Sequence, residues 1–160
     1  MARIDYYDDP NAPAINSVVP SVTVAVRDNA GRLLLIHKID NGYWALPGGG
    51  HDPGERITDT AVREVREETG IGVRITGLVG TYTDPRHVMA YDDGEVRQQF
   101  SLCFRAVPLG RSEMPQPDGT ETKAASWVEP ADVPGLWIHP SMRLRISHAL
   151  DELRTEPHLG

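Results

Sequence analysis

Three glutamates, Glu64, Glu67 and Glu68, stand at i, i+3 and i+4 in a stretch with helical signals. A helix there presents all three from one face. Like charges placed so destabilise an isolated helix, and the stretch is stable as a helix only if something positive meets that face. A hard divalent cation suits it, because Mg²⁺ and Mn²⁺ take oxygen ligands and usually keep waters that a phosphate can replace. The glutamates follow Pro47-Gly48-Gly49-Gly50, a run whose missing side chains let backbone approach a ligand closely.

The rest of the chain bounds the partners of such a site. Its 160 residues suit one domain with a real core. The 16 basic and 23 acidic side chains leave a formal net charge of −7. With no basic run, a nucleic-acid polymer or an anionic membrane is not expected as partner. A small anionic substrate remains open, provided a cation mediates. Cys103 is the single cysteine, so no internal disulfide is expected. Residues 1–5 show no apolar signal core and no run reaches membrane-span length, which together predict a cytoplasmic protein.

Along the chain, residues 1–17 are polar and turn-rich and read as an N-terminal arm, either laid over the surface or used to form a homodimer. Val22, Val24 and Val26 alternate with Thr23 and Ala25, which predicts a strand. The turn at Asp28–Gly31 and the run Leu33–Ile36 suggest that a second strand follows and closes a hairpin. A helix is expected over Asp59–Thr69, with Thr58 as N-cap and Gly70 just past its end. Val73–Thr83 reads as a strand interrupted at Gly77 and Gly80, and Asp92-Asp93-Gly94 as a hairpin turn. Val96–Val107 alternates between an apolar face and a face bearing Arg97, Gln99, Ser101, Cys103 and Arg105, polar enough to line a site. Leu109–Thr120 is a long Pro- and Gly-bearing loop. Ala124–Val128 is a short strand, and Ser141–Leu153 a helix with an imperfect apolar stripe. The single domain is expected over residues 18–154, with 155–160 as a tail.

The spacing Gly49, five residues, Glu55, seven residues, Arg63-Glu64-Val65, one residue, Glu67-Glu68, one residue, Gly70-Ile71 fills every fixed position of a 23-residue signature. It resembles the Nudix box, and Trp44-Ala45-Leu46-Pro47-Gly48-Gly49 resembles the usual approach to it. The order of elements from Val18 to Pro134 is similar to the whole Nudix domain. The resemblance implies an α/β/α sandwich with a mixed sheet. It also implies hydrolysis of a nucleoside diphosphate linked to another group, with Mg²⁺ or Mn²⁺. Physical chemistry agrees, since cleaving a diphosphate needs neutralised phosphate charge, a positioned water and fixed geometry.

By the family pattern, Glu64 and Glu68 are the main metal ligands, Glu67 assists and Gly48 adds its carbonyl. Arg63 orients the glutamates by charge-assisted hydrogen bonds. Glu55 either braces the loop or reaches metal through water. The general base is a box glutamate or Glu121, which sits six residues before Trp127 as in mutator-type enzymes. For the substrate, Pro85 lies fourteen residues after Ile71, a feature similar to ADP-ribose pyrophosphatases. Arg86, Arg97 and Trp44 are candidate substrate contacts, each with an alternative role at the surface or in the core. ADP-ribose or a similar nucleotide sugar is the first expectation, and a (d)NTP pyrophosphohydrolase the second. A nucleotide-sensing Nudix module without activity is the alternative of another class. It is disfavoured because such modules typically lack box glutamates, and all are present here. The six histidines show no metal-ligand spacing.

Overall fold

The run Leu33-Leu34-Leu35-Ile36 is wholly apolar. In the computed structural model, which describes residues 2–111 and 113–160, all four side chains are buried. Such a strand needs apolar cover on both faces. Leu33 and Leu35 enter one core cluster with Ile146 and Ala149, whereas Leu34 enters another with Ala61 and Val65. These two clusters lie under two helices, α1 (Ile57–Thr69) and α2 (Pro140–Leu150). The architecture is therefore an α/β/α sandwich, with β-structure between a helix on each side.

The longest strand, β8 (Val96–Pro108), is the hub of a seven-stranded mixed sheet. It runs parallel to β2 (Ser17–Val26), with Ser17 opposite Arg97 and Val26 opposite Ala106. On its other side it pairs antiparallel with β7 (His87–Tyr91) and with β6 (Val73–Tyr82). β5 (Gly48–Gly50) adds to the far side of β2, pairing with Ser21, Val22 and Thr23. A second sheet orders β4 (Trp44–Ala45), β3 (Leu33–Lys38) and β9 (Thr122–Val128). A 3₁₀ turn, Pro130–Gly135, leads into α2. No helix among the described residues is long and apolar enough to cross a membrane.

The breaks expected at Gly77 and Gly80 are register shifts in the β6–β8 ladder, where an extra residue bends the strand. Asp92–Gly94 does turn β7 into β8, with Gly94 at φ 93°. Gly70 takes the left-handed C-cap position of α1 at φ 73°, and its N–H donates to Arg66 O.

Other expectations are corrected. β2 and β3 do not form a hairpin. The Asp28 carboxylate accepts from the N–H groups of Ala30 and Arg32 and closes the turn. After the single bridge Arg27–Leu33 the strands part into different sheets, because β2 satisfies its ladder on β8 and β5. α1 starts at Ile57 with Arg56 as N-cap, not Thr58, since the Asp59 carboxylate accepts from the Arg56 N–H at 3.3 Å. The N-terminal arm is largely an edge strand, β1 (Arg3–Tyr7), paired antiparallel with β7. The tail holds a further strand, β10 (His158–Leu159), parallel to β6. α2 ends at Leu150, with Asp151 as its C-cap. Met1 of the arm and Ser112 of the Leu109–Thr120 loop lie outside the described residues.

Gly70→Ala should lower stability by about 1 kcal/mol, because a Cβ at positive φ is strained. Urea unfolding should show a lower midpoint with an unchanged slope.

Candidate active site

Arg63 projects from the first half of α1 and gathers the acidic side chains around it. Its Nε donates to Glu55 Oε1 at 2.6 Å and its Nη2 to Glu55 Oε2 at 3.0 Å. Its Nη1 donates to Glu64 Oε1 at 2.9 Å and to Glu67 Oε2 at 3.1 Å. The Gly50 carbonyl accepts from Nη2 at 3.2 Å. One planar fork thus ties the glycine strand, the loop and the helix together. Of the two roles open to Glu55, the structure shows the brace. Its hydrogen bonds from Arg63 and then Thr60 hold the carboxyl down at about 2.

Glu68 lies one turn beyond Glu64 and is 2% exposed. Its Oε2 accepts from the Gly48 N–H at 2.8 Å, and its Oε1 is buried with no hydrogen-bond partner. Burial pushes the Glu68 carboxyl up to about 8, and the charges of Glu64 and Glu121 push the same way. The Gly48 N–H and Lys38 oppose that rise. Glu64 is raised as well, by burial first, with Glu67 and Glu121 adding and Arg63 opposing. Two neighbouring carboxylates are therefore held out of water with like charge beside them.

The glycines make room for this pair. A Cβ at Gly49 would stand 2.6 Å from the Glu64 carboxyl carbon, and one at Gly48 would stand 2.1 Å from Val22 O. Any side chain at either position would push β5 off β2 or the carboxylate off β5.

A buried, orphaned carboxylate oxygen is an expensive group unless a cation completes it. The donor set around it is all oxygen, which suits Mg²⁺ or Mn²⁺. Glu64 and Glu68 would hold the ion. Glu67, expected to assist, has a side chain that is 57% exposed and paired with Arg63. Among the described residues no three His, Cys, Asp or Glu side chains form a cage by themselves. Water and substrate oxygens would complete the shell, as is usual for Mg²⁺. Gly48 meets the site through its N–H, which is spent on Glu68.

Next to the glycine strand lies a cavity of about 200 Å³, lined by Gly48, Gly49 and Gly50 on one side. Four cationic side chains line it, Arg3, Lys38, Arg97 and Arg145, against one carboxylate, Asp5. In a chain of net charge −7 this is a local reversal of sign, and it suits an anionic ligand. Of the expected substrate contacts, Arg97 and Trp44 line this cavity. Arg97 is held by both oxygens of Glu95, and Trp44 stacks on His37 with centroids 4.7 Å apart. Arg86 lines a different cavity and is bound to Asp84. The polar face of β8 serves two purposes, since Arg97 and Gln99 line the cavity while Ser101 and Cys103 are fully buried. Glu121 is exposed, yet its charge is felt at both buried glutamates.

Sequence reasoning missed Lys38, whose only signal was its place at the end of an apolar strand. It also missed Asp5, His87 and His139, which the β1–β7 pairing and the start of α2 bring to the cavity. The rings of His87 and His139 stack 5.0 Å apart, and burial, with His87 beside it, lowers His139 to about 4.

Residues 18–149 match the NUDIX domain. The chain belongs to the Nudix family. A MutT-like protein of Streptomyces ambofaciens is 37% identical over 122 residues, covering 76% of this chain and 70% of that one. The nucleoside triphosphatase NudI of Escherichia coli O1:K1 / APEC is 34% identical over 113 residues, covering 66% of this chain and 78% of that one. Among solved structures, an ADP-ribose pyrophosphatase from Streptococcus suis 89-1591 superposes with a TM-score of 0.63 at 22% identity. That superposition covers 88% of this chain and 96% of the other. The Nudix hydrolase described here is thus an enzyme acting on a nucleotide diphosphate linkage, and the braced glutamates are its box.

The sign of the Glu68 shift gives a stability test. A carboxyl raised in the fold keeps its proton there while the unfolded chain loses one, so stability falls as pH rises from the ordinary glutamate range to about 8. With chelator present, the wild type should lose thermal stability between pH 5 and pH 8. Glu68→Gln should lose less over the same interval. Parallel curves in thermal melts would mean that Glu68 does not carry the shift.

Proposed function

We propose that this Nudix hydrolase cleaves nucleoside triphosphates, releasing nucleoside monophosphate and pyrophosphate, with Mg²⁺ as its working cation. The observation that carries the reading is a buried glutamate pair, Glu64 held by Arg63 and Glu68 by the Gly48 N–H, beside a glycine strand that also lines a cavity with four cationic side chains. When bound, the cation neutralises phosphate charge and makes the attacking water more acidic. The chain's own residues do the rest. Lys38, Arg3 and Arg97 offset the remaining phosphate charge. Arg63 keeps the carboxylates in register and is a positioning residue. Glu121 is our candidate general base, because it is exposed and electrostatically close to both buried glutamates.

The choice of triphosphate over ADP-ribose rests on two supports. Relatives above 30% identity include ones named putative 8-oxo-dGTP diphosphatase, MutT-like protein and nucleoside triphosphatase, whereas the likeness to an ADP-ribose pyrophosphatase lies at 22% identity and concerns the fold. The sequence argument for ADP-ribose used Pro85, which lines the second cavity and not the one beside the glycine strand.

Product analysis tests the reading. Nucleoside triphosphates with Mg²⁺ should give monophosphate and pyrophosphate. Turnover of ADP-ribose to AMP and ribose phosphate, with triphosphates untouched, would overturn it. Glu68→Gln should reduce kcat by about 10³-fold or more, as loss of a charge-stabilising group in a closed site does. Glu121→Gln should reduce kcat by about 10²-fold with KM little changed, and an unaltered kcat would remove Glu121 from the chemistry.

A further inference from the structure

The apolar stripe expected of α2 consists of Leu144, Ile146, Ala149, Leu150 and Leu153. Ile146 and Ala149 are buried as expected, whereas Leu144 is exposed, Leu153 lies past the helix end and is exposed, and Arg145 is buried in their company. Arg145 is 2% exposed. Its Nη1 donates to the Ser141 carbonyl at 2.9 Å, and its Nε is buried with no partner. The guanidinium lies 4.8 Å from the centroid of the Tyr82 ring. Among the described residues no carboxylate pairs with it, and the groups that favour its charge are Cys103, Tyr82 and Tyr7. A buried cation with no counter-charge is costly, and a core helix position would normally be filled by an apolar side chain.

Arg145 lines a second cavity, of about 420 Å³, between the β6–β7 turn, α2 and β10. Tyr7, Thr83, Gln99, Ser141 and Leu144 contribute to its walls. Its one acidic lining side chain among the described residues, Asp84, already has both oxygens engaged by Arg86. None of the box glutamates lines it. Gln99 Nε2 donates to Ser21 Oγ, the Ser141 hydroxyl pairs with His139 Nδ1 and the Thr83 hydroxyl donates to Gly160 O, so the uncompensated guanidinium is the group left open, and an oxyanion is the ligand that would complete it.

We propose that this second cavity is a phosphate-binding site anchored by Arg145. It is separate from the place where the box acts, although the two cavities share the wall formed by His87, Gln99, Ser141 and Arg145. The phosphate is either free inorganic phosphate or a phosphoryl group of a nucleotide that extends across the shared wall.

The test is ligand-dependent stabilisation of the full chain in chelator, with inorganic phosphate compared with chloride at equal ionic strength. Phosphate should raise the melting temperature of the wild type. Glu68→Gln should keep that response, which separates this site from the box and from the proposed reaction. Arg145→Gln should weaken phosphate binding by about tenfold or more, the usual effect of losing a charge-assisted contact. Leu144→Glu places a carboxylate at the lip and should also remove the response, so the test stands even if Arg145→Gln does not fold. A nucleoside monophosphate titrated in parallel distinguishes the sources. If only the nucleotide responds to the Arg145 and Leu144 changes, the phosphoryl group is the nucleotide's. If inorganic phosphate responds as well, it is free phosphate. Equal melting temperatures in phosphate and chloride for the wild type, together with nucleotide binding unaltered in both variants, would overturn the proposal. Arg145 would then be a core cation held by Tyr82.

Discussion

The hydrogen bond from the Gly48 N–H to Glu68 joins the last turns of α1 to the glycine strand, and the working side of the molecule is built around it. One oxygen of the carboxylate is satisfied by backbone and the other is left buried and open. Burial of that carboxyl, with Glu64 and Glu121 beside it, raises its pKa, and its open oxygen is the one a cation would complete. The glycine strand and the helix approach closely here, since a Cβ at Gly49 has no room beside Glu64. The sheet supports the contact from behind, because β5 is fixed on β2, and β2 along its length on β8.

Charge is sorted across the glycine wall. Behind it, Glu55, Glu64 and Glu67 share one guanidinium, so Arg63 offsets only part of the negative charge on that helix face. In front of it, cationic side chains from β1, β3, β8 and α2 line a cavity. A phosphate chain bound in that cavity would meet those positive side chains next to the glycine strand that carries the box. Electrostatic preorganisation of this kind, set before the ligand arrives, is an effective way to lower a barrier to phosphoryl chemistry.

How much of this was legible in the residues differed by element. The helix, its C-terminal glycine, the hairpin turn at Asp92–Gly94 and the breaks in β6 follow from local chemistry, and local chemistry is written in neighbouring residues. The pairing of β2 was not legible, because its parallel partner β8 is about eighty residues away, and proximity in sequence favoured β3 instead. Arg145 was not legible either. An arginine in an amphipathic helix normally faces water, and only the packing of α2 over Tyr82 and Cys103 turns this one inward. Strands β1 and β10 are short and lie at the two ends of the chain, where a polar composition gives little sign that an open sheet edge will take them up.

By itself the sequence determined the class of chemistry. Three carboxylates at helical spacing, an arginine ahead of them and a glycine run before that already call for a divalent cation and a phosphate-bearing substrate, because those constraints act within a few residues. Tertiary structure alone decided which oxygens are withdrawn from water. Burial singled out Glu68 and Glu64, turned Glu67 to the rim and gave Glu55 to Arg63. It also decided which cations line the cavity, since Arg3, Lys38, Arg97 and Arg145 come from four separate elements. Desolvation and long-range juxtaposition depend on what the whole fold brings near a residue, and spacing along the chain carries no record of that.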